Sequence, residues 1–307
     1  MTDEVVELSE TAMRQGSKSF ATAARLFDKA TRDDCVMLYA WCRHCDDVID
    51  GQTLGQAQES DFRIGQQSRL AQLRQQTADA LEAGSTSDPI FVALRRVTRR
   101  ADIPARHPQE LLAGFAMDVE DRSYETVEDV LDYGYHVAGV VGVMMAMIMG
   151  VRDAAMLDRA SDLGIAFQLT NIARDVINDA RVGRVYLPRS LLEAAGVASV
   201  APEDRAQWPA LHDATLRLLD IAEPYYRSAQ VGIAALPLRS AWAIATARRV
   251  YRAIGQKLRA EGPAAWEKRV STTTAQKLGL LVLALGDAVA SRFSGGSTPR
   301  TGLYQRP

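Results

Sequence analysis

The amino-acid sequence predicts an all-α fold in a single domain, and three observations carry that expectation. β-Branched residues nowhere alternate with polar ones over a sustained stretch, whereas Ala, Leu, Arg, Gln and Met fill long segments, a usage that favours helix over strand. The segments end on turn chemistry, at residues 84–89 (Gly-Ser-Thr-Ser-Asp-Pro), at Gly183 and at Gly262-Pro263, where glycine supplies unusual backbone angles and proline removes a donor. No long unstructured linker divides the chain, because the widest gap, 196–209, has room for a helical turn of its own.

In chain order, helices are expected over 32–50, 59–83, 89–101, 107–121, 127–150, 154–181, 209–229, 239–260 and 274–292. The second stops at the turn cluster 84–89, and the fifth holds the longest apolar run, 137–151. The sixth ends on basic Arg181 with Gly183 just beyond, the eighth closes at Gly262-Pro263, and the ninth contains the apolar stretch 278–290. Nine helices exceed a four-helix bundle. One domain is expected over 1–293, followed by a flexible tail, 294–307, in which Gly295, Gly296 and Pro299 disfavour regular structure.

Hydrophobic residues make up 47% and charged residues 24% of the 307 positions, enough apolar material for a sizeable core. A net charge of -2, from 36 basic and 38 acidic side chains, provides no global field for nucleic acid, so charge-based chemistry must be local. Cys35, Cys42 and Cys45 lie too close together for a disulfide framework, and Cys42-x-x-Cys45 has no second ligand pair to complete a zinc site. They read as small hydrophobes in a reducing compartment. The acidic N-terminus lacks the basic start and apolar run of a signal peptide, which suggests a cytoplasmic protein. The runs 137–151 and 278–290 are shorter than the roughly 20 residues that cross a bilayer, and the second carries Asp287.

Two acidic stripes carry the chemistry. At about 100° per residue, Tyr39, Arg43, Asp46 and Asp50 fall within roughly 60° of helical arc. Gln168, Asn171, Asp175 and Asp179 fall within roughly 80° on a second helix. Leu169, Ile172, Ala173, Val176 and Ile177 surround the second stripe with apolar residues, which puts it in the interior of a bundle. Carboxylates four residues apart repel each other, and burial raises that cost unless they take up protons, cations or metal. Either stripe alone reads as an ordinary solvated face. Two of the same spacing on interior helices point instead to divalent cations held between facing helices. Such a site suits a substrate rich in anionic oxygen and stabilises charge on a departing diphosphate. Arg174, Arg181, Arg184, Lys18, Arg248, Arg249 and Arg269 are available as basic partners.

At these residues the sequence resembles the squalene/phytoene synthase family, over nearly the whole chain from Ser17 to Thr274. The likeness rests on Asp46-Asp47-Val48-Ile49-Asp50 and Asp175-Val176-Ile177-Asn178-Asp179. It extends to the flanking Tyr39-Ala40-Trp41-Cys42-Arg43, Tyr135-His136-Val137-Ala138-Gly139 and Arg184-Val185-Tyr186-Leu187-Pro188. The resemblance implies a helical isoprenoid-synthase fold with a central cavity, and Mg²⁺ or Mn²⁺ bridging each motif to diphosphate. The segments around Asn171 and Arg184 are most similar to the bacterial branch that couples two geranylgeranyl diphosphates head to head for carotenoid biosynthesis. No NADPH is expected there, since the final cation loses a proton instead of gaining a hydride. A C40 hydrocarbon product further implies peripheral membrane contact and hand-over to downstream carotenoid enzymes.

By position, the resemblance assigns metal binding to Asp46, Asp50, Asp175 and Asp179, supported by Asp47 and Asn171. It assigns diphosphate contacts to Ser17, Lys18, Ser19, Arg43, Arg174 and Arg269 beside Phe20, and the cation's path to Tyr39, Tyr135, Gln168 and Tyr251. Aromatic faces attract carbocations, which makes the tyrosines chemically sensible. Gly16 stands where some relatives carry histidine. Small Ala138, Gly139 and Gly142 leave room for a prenyl tail, and Met144, Met145, Met147 and Met149 can adapt to it. Three other readings remain open: the same fold acting on two farnesyl diphosphates, a metal phosphohydrolase, and a non-catalytic helical partner.

Overall fold

A computed structural model describes residues 3–16, 18–54, 61–82, 86–293 and 299–307, with the side chains of residues 18 and 19 outside the description. The chain opens with α1 (Glu4–Gly16) and the short α2 (Lys18–Ala24), neither of them expected. α3 (Lys29–Asp50) carries the first acidic stripe. Asp28 caps its start by accepting the Thr31 amide at 3.0 Å, and Gly51 ends it in the left-handed region at φ 58. α4 (Gln66–Leu81), α5 (Pro89–Arg100) and α6 (Arg106–Val119) follow. α7 (Val127–Gly134) begins in a capping box between Thr126 and Asp129 and runs without a break through a π-helical turn, Tyr135–Gly139, into α8 (Val140–Ile148).

α9 (Ala154–Arg181) carries the second stripe and matches its expected bounds. α10 (Arg189–Ala194), α11 (Trp208–Gly232), α12 (Leu238–Glu261) and α13 (Thr274–Ala290) complete the fold, with a 3-10 turn at Arg205–Gln207 inside the gap between α10 and α11. No strand occurs among the described residues.

α9 is the central post. It packs on α8 and the π-helical turn on one side and on α11 and α12 on the other, which explains why its apolar residues are not confined to one face. The seam with α8 is unusually close: a β-carbon on Gly164 would lie 2.2 Å from the Ala138 carbonyl oxygen, and one on Gly142 would lie 2.4 Å from that of Ala160. The small residues at 139, 142 and 164 therefore let two backbones touch. Ala138 and Gly142 still border the cavity, as do Met145 and Met149, whereas Met144 and Met147 pack in the core.

The helical stretch Val127–Ile148 has the length and hydropathy of a membrane span, but 61% of it is buried in the molecule. The expected flexible tail also takes a different form. Residues 294–298 lie outside the description, but 299–307 dock on the bundle. Arg300 pairs with both carboxylate oxygens of Asp162 at 2.7 Å, and the Tyr304 hydroxyl donates to Asp132 at 2.9 Å. Arg306 bonds Asp158, and Leu303 and Tyr304 lie against the core. Asp162 is wholly buried on α9, so it requires a cation that glycine and proline counts do not reveal.

Candidate active site

A cavity of about 1130 Å³ follows α9 from Met156 to Asp179, a rise of roughly 35 Å at 1.5 Å per residue. Its two ends differ in chemistry. Toward the start of α9 the walls are apolar apart from Arg159, with Met145, Met149, Leu163, Leu236 and Ile244 among them; toward the end they carry Asp46, Asp50, Asp118, Asp175, Asp179 and four arginines.

The polar end joins the two stripes directly. Arg184, just after α9, reaches Asp50 on α3 at 2.7 Å, and Arg43 pairs with Asp46 at 2.6 Å. Asp175 is held from two sides: Arg174 Nε donates to its Oδ1 at 3.0 Å, and Arg269 donates to both oxygens at 2.9 and 2.8 Å. Those hydrogen bonds and charges outweigh burial and hold the Asp175 carboxyl below its ordinary value. Asp179 shows the opposite case: burial, aided by the Asp175 charge, pushes it up to about 8. Burial likewise raises Asp46 to about 7, against the pull of Arg43 and with Asp50 adding to the rise. The Asp46 side chain keeps 37% of its surface accessible, and that surface faces the cavity it lines.

Asp118, on α6, completes this end. It accepts from the Tyr133 hydroxyl at 3.1 Å and the Tyr186 hydroxyl at 2.8 Å, and burial raises it to about 6. Neither acidic motif contains Asp118, and the sequence does not single it out from its neighbours Glu120 and Asp121 at the end of α6. Arg184 and Tyr186 stand in a segment that carried the family likeness, and only the fold shows that Arg184 reaches the first motif and Tyr186 reaches Asp118.

The donor set fits Mg²⁺ or Mn²⁺. It is built of oxygens, two of its carboxylates are pushed toward protonation by burial, and the Asn171 Oδ1 is buried with no hydrogen-bond partner among the described residues. No three carboxylate, histidine or cysteine groups among the described residues converge closely enough to hold a metal by themselves. Further oxygens from a diphosphate would complete the shell.

Of the other expected residues, Phe20, Tyr39, Gln168, Asn171 and Tyr251 line the cavity. Phe20 stacks on Tyr39 at 5.8 Å between centroids, and Tyr251 on Phe167 at 4.1 Å. Ser17 lies outside the described residues, and Lys18 and Ser19 begin α2 with undescribed side chains. Gly16 is also on the wall, and a β-carbon there would meet the Tyr39 hydroxyl at 2.6 Å.

Two expected residues point elsewhere. Tyr135 is fully buried, donates to Glu110 at 2.9 Å and packs on Tyr304, while its neighbour Tyr133 faces the cavity. Asp47 turns away from the cavity and accepts the Leu54 amide at 2.7 Å, which holds a left-handed residue, φ 53, in the loop after α3. Among the surplus cations, Arg181 pairs with Glu203, Arg248 donates to the Tyr226 carbonyl and Arg249 pairs with Asp287, all away from the cavity wall. His44 stands edge-on to Phe91, so no histidine lines the cavity among the described residues. That disfavours a phosphohydrolase with histidine ligands.

A 15-cis-phytoene synthase from Paracoccus sp. is 55% identical over 100% of this chain and 99% of its own length. The 15-cis-phytoene synthase of Pantoea ananas is 54% identical, with 96% of each chain covered. Among solved structures, a dehydrosqualene synthase superposes with a TM-score of 0.84 at 27% identity, covering 94% of this chain and 97% of the other. A squalene synthase from Alicyclobacillus acidocaldarius, at 22% identity and a TM-score of 0.73 over 84% of this chain and 94% of its own, shares the fold. The sequence profile described as squalene/phytoene synthase matches residues 13–276, and the chain belongs to that family.

Proposed function

We propose that this enzyme is a phytoene synthase, a prenyltransferase that condenses two geranylgeranyl diphosphates head to head in carotenoid biosynthesis. The observation that carries this reading is the cavity itself: one long apolar channel ending in paired acidic and basic side chains on α3, α6 and α9.

The arginines bind and orient diphosphate. Arg174 and Arg269 are anchored by Asp175, and Arg184 by Asp50, so their positions are fixed before substrate arrives. Asp46, Asp50, Asp175, Asp179 and Asn171 would hold Mg²⁺ or Mn²⁺, which when bound supplies Lewis-acid stabilisation to the leaving diphosphate. Beyond the polar end, the faces of Phe20, Tyr39, Phe167 and Tyr251 border the path of the allylic cation and stabilise it through their electron-rich rings. The apolar walls exclude water, which would otherwise capture the cation as an alcohol. The acceptor's double bond attacks C1 of the cation, and loss of a proton from that carbon closes the ring to give a cyclopropylcarbinyl diphosphate. Its own ionisation, rearrangement and loss of a proton then yield the C40 hydrocarbon with no reductant.

Cys35, Cys42 and Cys45 are all unpaired thiols, and burial pushes Cys42 up to about 12. Such inert thiols suit a reducing cytoplasm, where we place the enzyme.

Purified protein given equal geranylgeranyl and farnesyl diphosphate with Mg²⁺, and no NADPH, is expected to release a C40 hydrocarbon in excess. A C30 hydrocarbon as the main product would overturn the assignment of substrate length.

A further inference from the structure

Among the described residues, no helix packs on the outer face of α13. From Leu278 to Phe293 the exposed residues are Leu278, Gly279, Val282, Leu283, Leu285, Gly286, Val289, Ala290, Arg292 and Phe293, so Arg292 is the only polar one. The large side chains are well out in solvent, with Leu278 61%, Val282 67% and Phe293 85% exposed. Leu278, Val282, Leu285, Val289 and Phe293 recur every three or four residues and form one stripe, roughly 22 Å long at 1.5 Å per residue. Asp287, the one acid on this helix, is neutralised by two hydrogen bonds of 2.6 Å from Arg249. An exposed helix face normally carries charge, and a contiguous apolar one marks a contact surface.

The position of the stripe identifies the contact. The cavity reaches the surface at its exposed wall residues, Gln15, Arg269, Ser271, Thr273 and Thr274, and the first turn of α13 also contributes Lys277 to its wall. Leu278 follows directly, so the apolar face begins at the edge of the opening. Cations flank it: Lys277 at the opening, and Arg292, which donates to the Ala234 and Leu236 carbonyls, at the far end. A protein partner would be expected to meet polar atoms along its interface. A stripe without them, rimmed by cations, suits acyl chains and anionic headgroups.

We propose that α13 is the face on which this protein lies flat against a phospholipid bilayer, with the cavity mouth set at the lipid so that product passes into it without crossing water. The choice of lipid as occupant rests on the reading of the product as a long hydrocarbon.

The test is flotation of the full chain with vesicles of phosphatidylethanolamine and phosphatidylglycerol, without substrate. Wild-type protein is expected to rise with the vesicles, while the double variant Val282→Glu/Val289→Glu floats about tenfold less, since each buried charge removes interfacial affinity. Phe293→Ser, beyond the helix, is expected to weaken flotation on its own and guards against misfolding of the double variant. In detergent solution the initial rates of all three should agree, since none of these residues lines the cavity. Wild-type protein left at the bottom of the gradient, or variants that float equally well, would overturn the proposal. So would a dimer in lipid-free buffer that the glutamates dissociate without changing flotation, which would assign the face to a second copy. The chain length of the product is read separately, so a wrong substrate assignment and a wrong docking face give different results.

Discussion

Tyr133 and Tyr135 show how far single residues can be read from the sequence. Both lie in the segment that leads into α8, and the helical period of 100° per residue would normally decide which one faces the site. Tyr135 is assigned to the cation's path by the resemblance alone, and no acidic stripe on its helix fixes which face meets the cavity; the π-helical turn, Tyr135–Gly139, further shifts the residues after it. The acidic stripes, on regular helix, were legible from spacing alone; the tyrosine was not. Tyr133→Phe should therefore cut turnover about tenfold by leaving Asp118 with one hydroxyl partner fewer. Tyr135→Phe should leave turnover intact and lower stability by about 1 kcal/mol, the usual net worth of a lost hydrogen bond. Steady-state kinetics and denaturant melts of the two variants separate these outcomes.

Asp179 makes a second prediction at this scale. Its ordinary value is 3.8 and burial raises it to about 8 in the folded protein. Between those values the native state holds a proton that the unfolded chain has lost, so this group's contribution to stability falls as pH rises through that window. In metal-free buffer, Asp179→Asn should flatten the decline of melting temperature from pH 5 to pH 8. An unchanged slope would remove Asp179 as its source.

Among the elements, α9 was fully legible because its caps, length and apolar surround agree, with Asp153 accepting the Met156 amide at 3.0 Å to start it. α1 was not read as a helix, although Val6, Ser9 and Met13 are buried at helical spacing, because its many acidic residues dominated the reading. The glycines near α8 were read as space for substrate; the structure shows that Gly142 and Gly164 make a backbone contact between α8 and α9. Whether a small residue opens a cavity or closes a seam depends on what lies across from it, which one strand of sequence does not contain. Gly164→Ala places a methyl group 2.2 Å from a carbonyl oxygen. It should destabilise the protein by at least about 2 kcal/mol, the scale of overpacking that backbone must absorb. Thermal melts measure it, and an unshifted melting temperature would deny the close seam.

For the whole molecule, the sequence contains both halves of the site but not their meeting. Arg184 and Asp50 are 134 residues apart in sequence and in contact at 2.7 Å, and Asp118 enters from a third helix. The docked tail was equally hidden, since its anchors, Arg300, Tyr304 and Arg306, find their carboxylates only after α7 and α9 have packed. What unites the fold is one requirement, that buried carboxylates on three helices be balanced by cations when diphosphate binds.

The joint thermal shift with Mg²⁺ and an unreactive geranylgeranyl thiodiphosphate tests that requirement most directly. Mg²⁺ alone and the analogue alone should each move the melting temperature little. Together they should raise it in proportion to saturation, worth about 2.7 kcal/mol at a hundredfold excess over the dissociation constant, and Asp175→Asn should abolish the joint shift. A full shift with the analogue alone, or one that survives Asp175→Asn, would contradict a site in which metal and aspartates hold the diphosphate together.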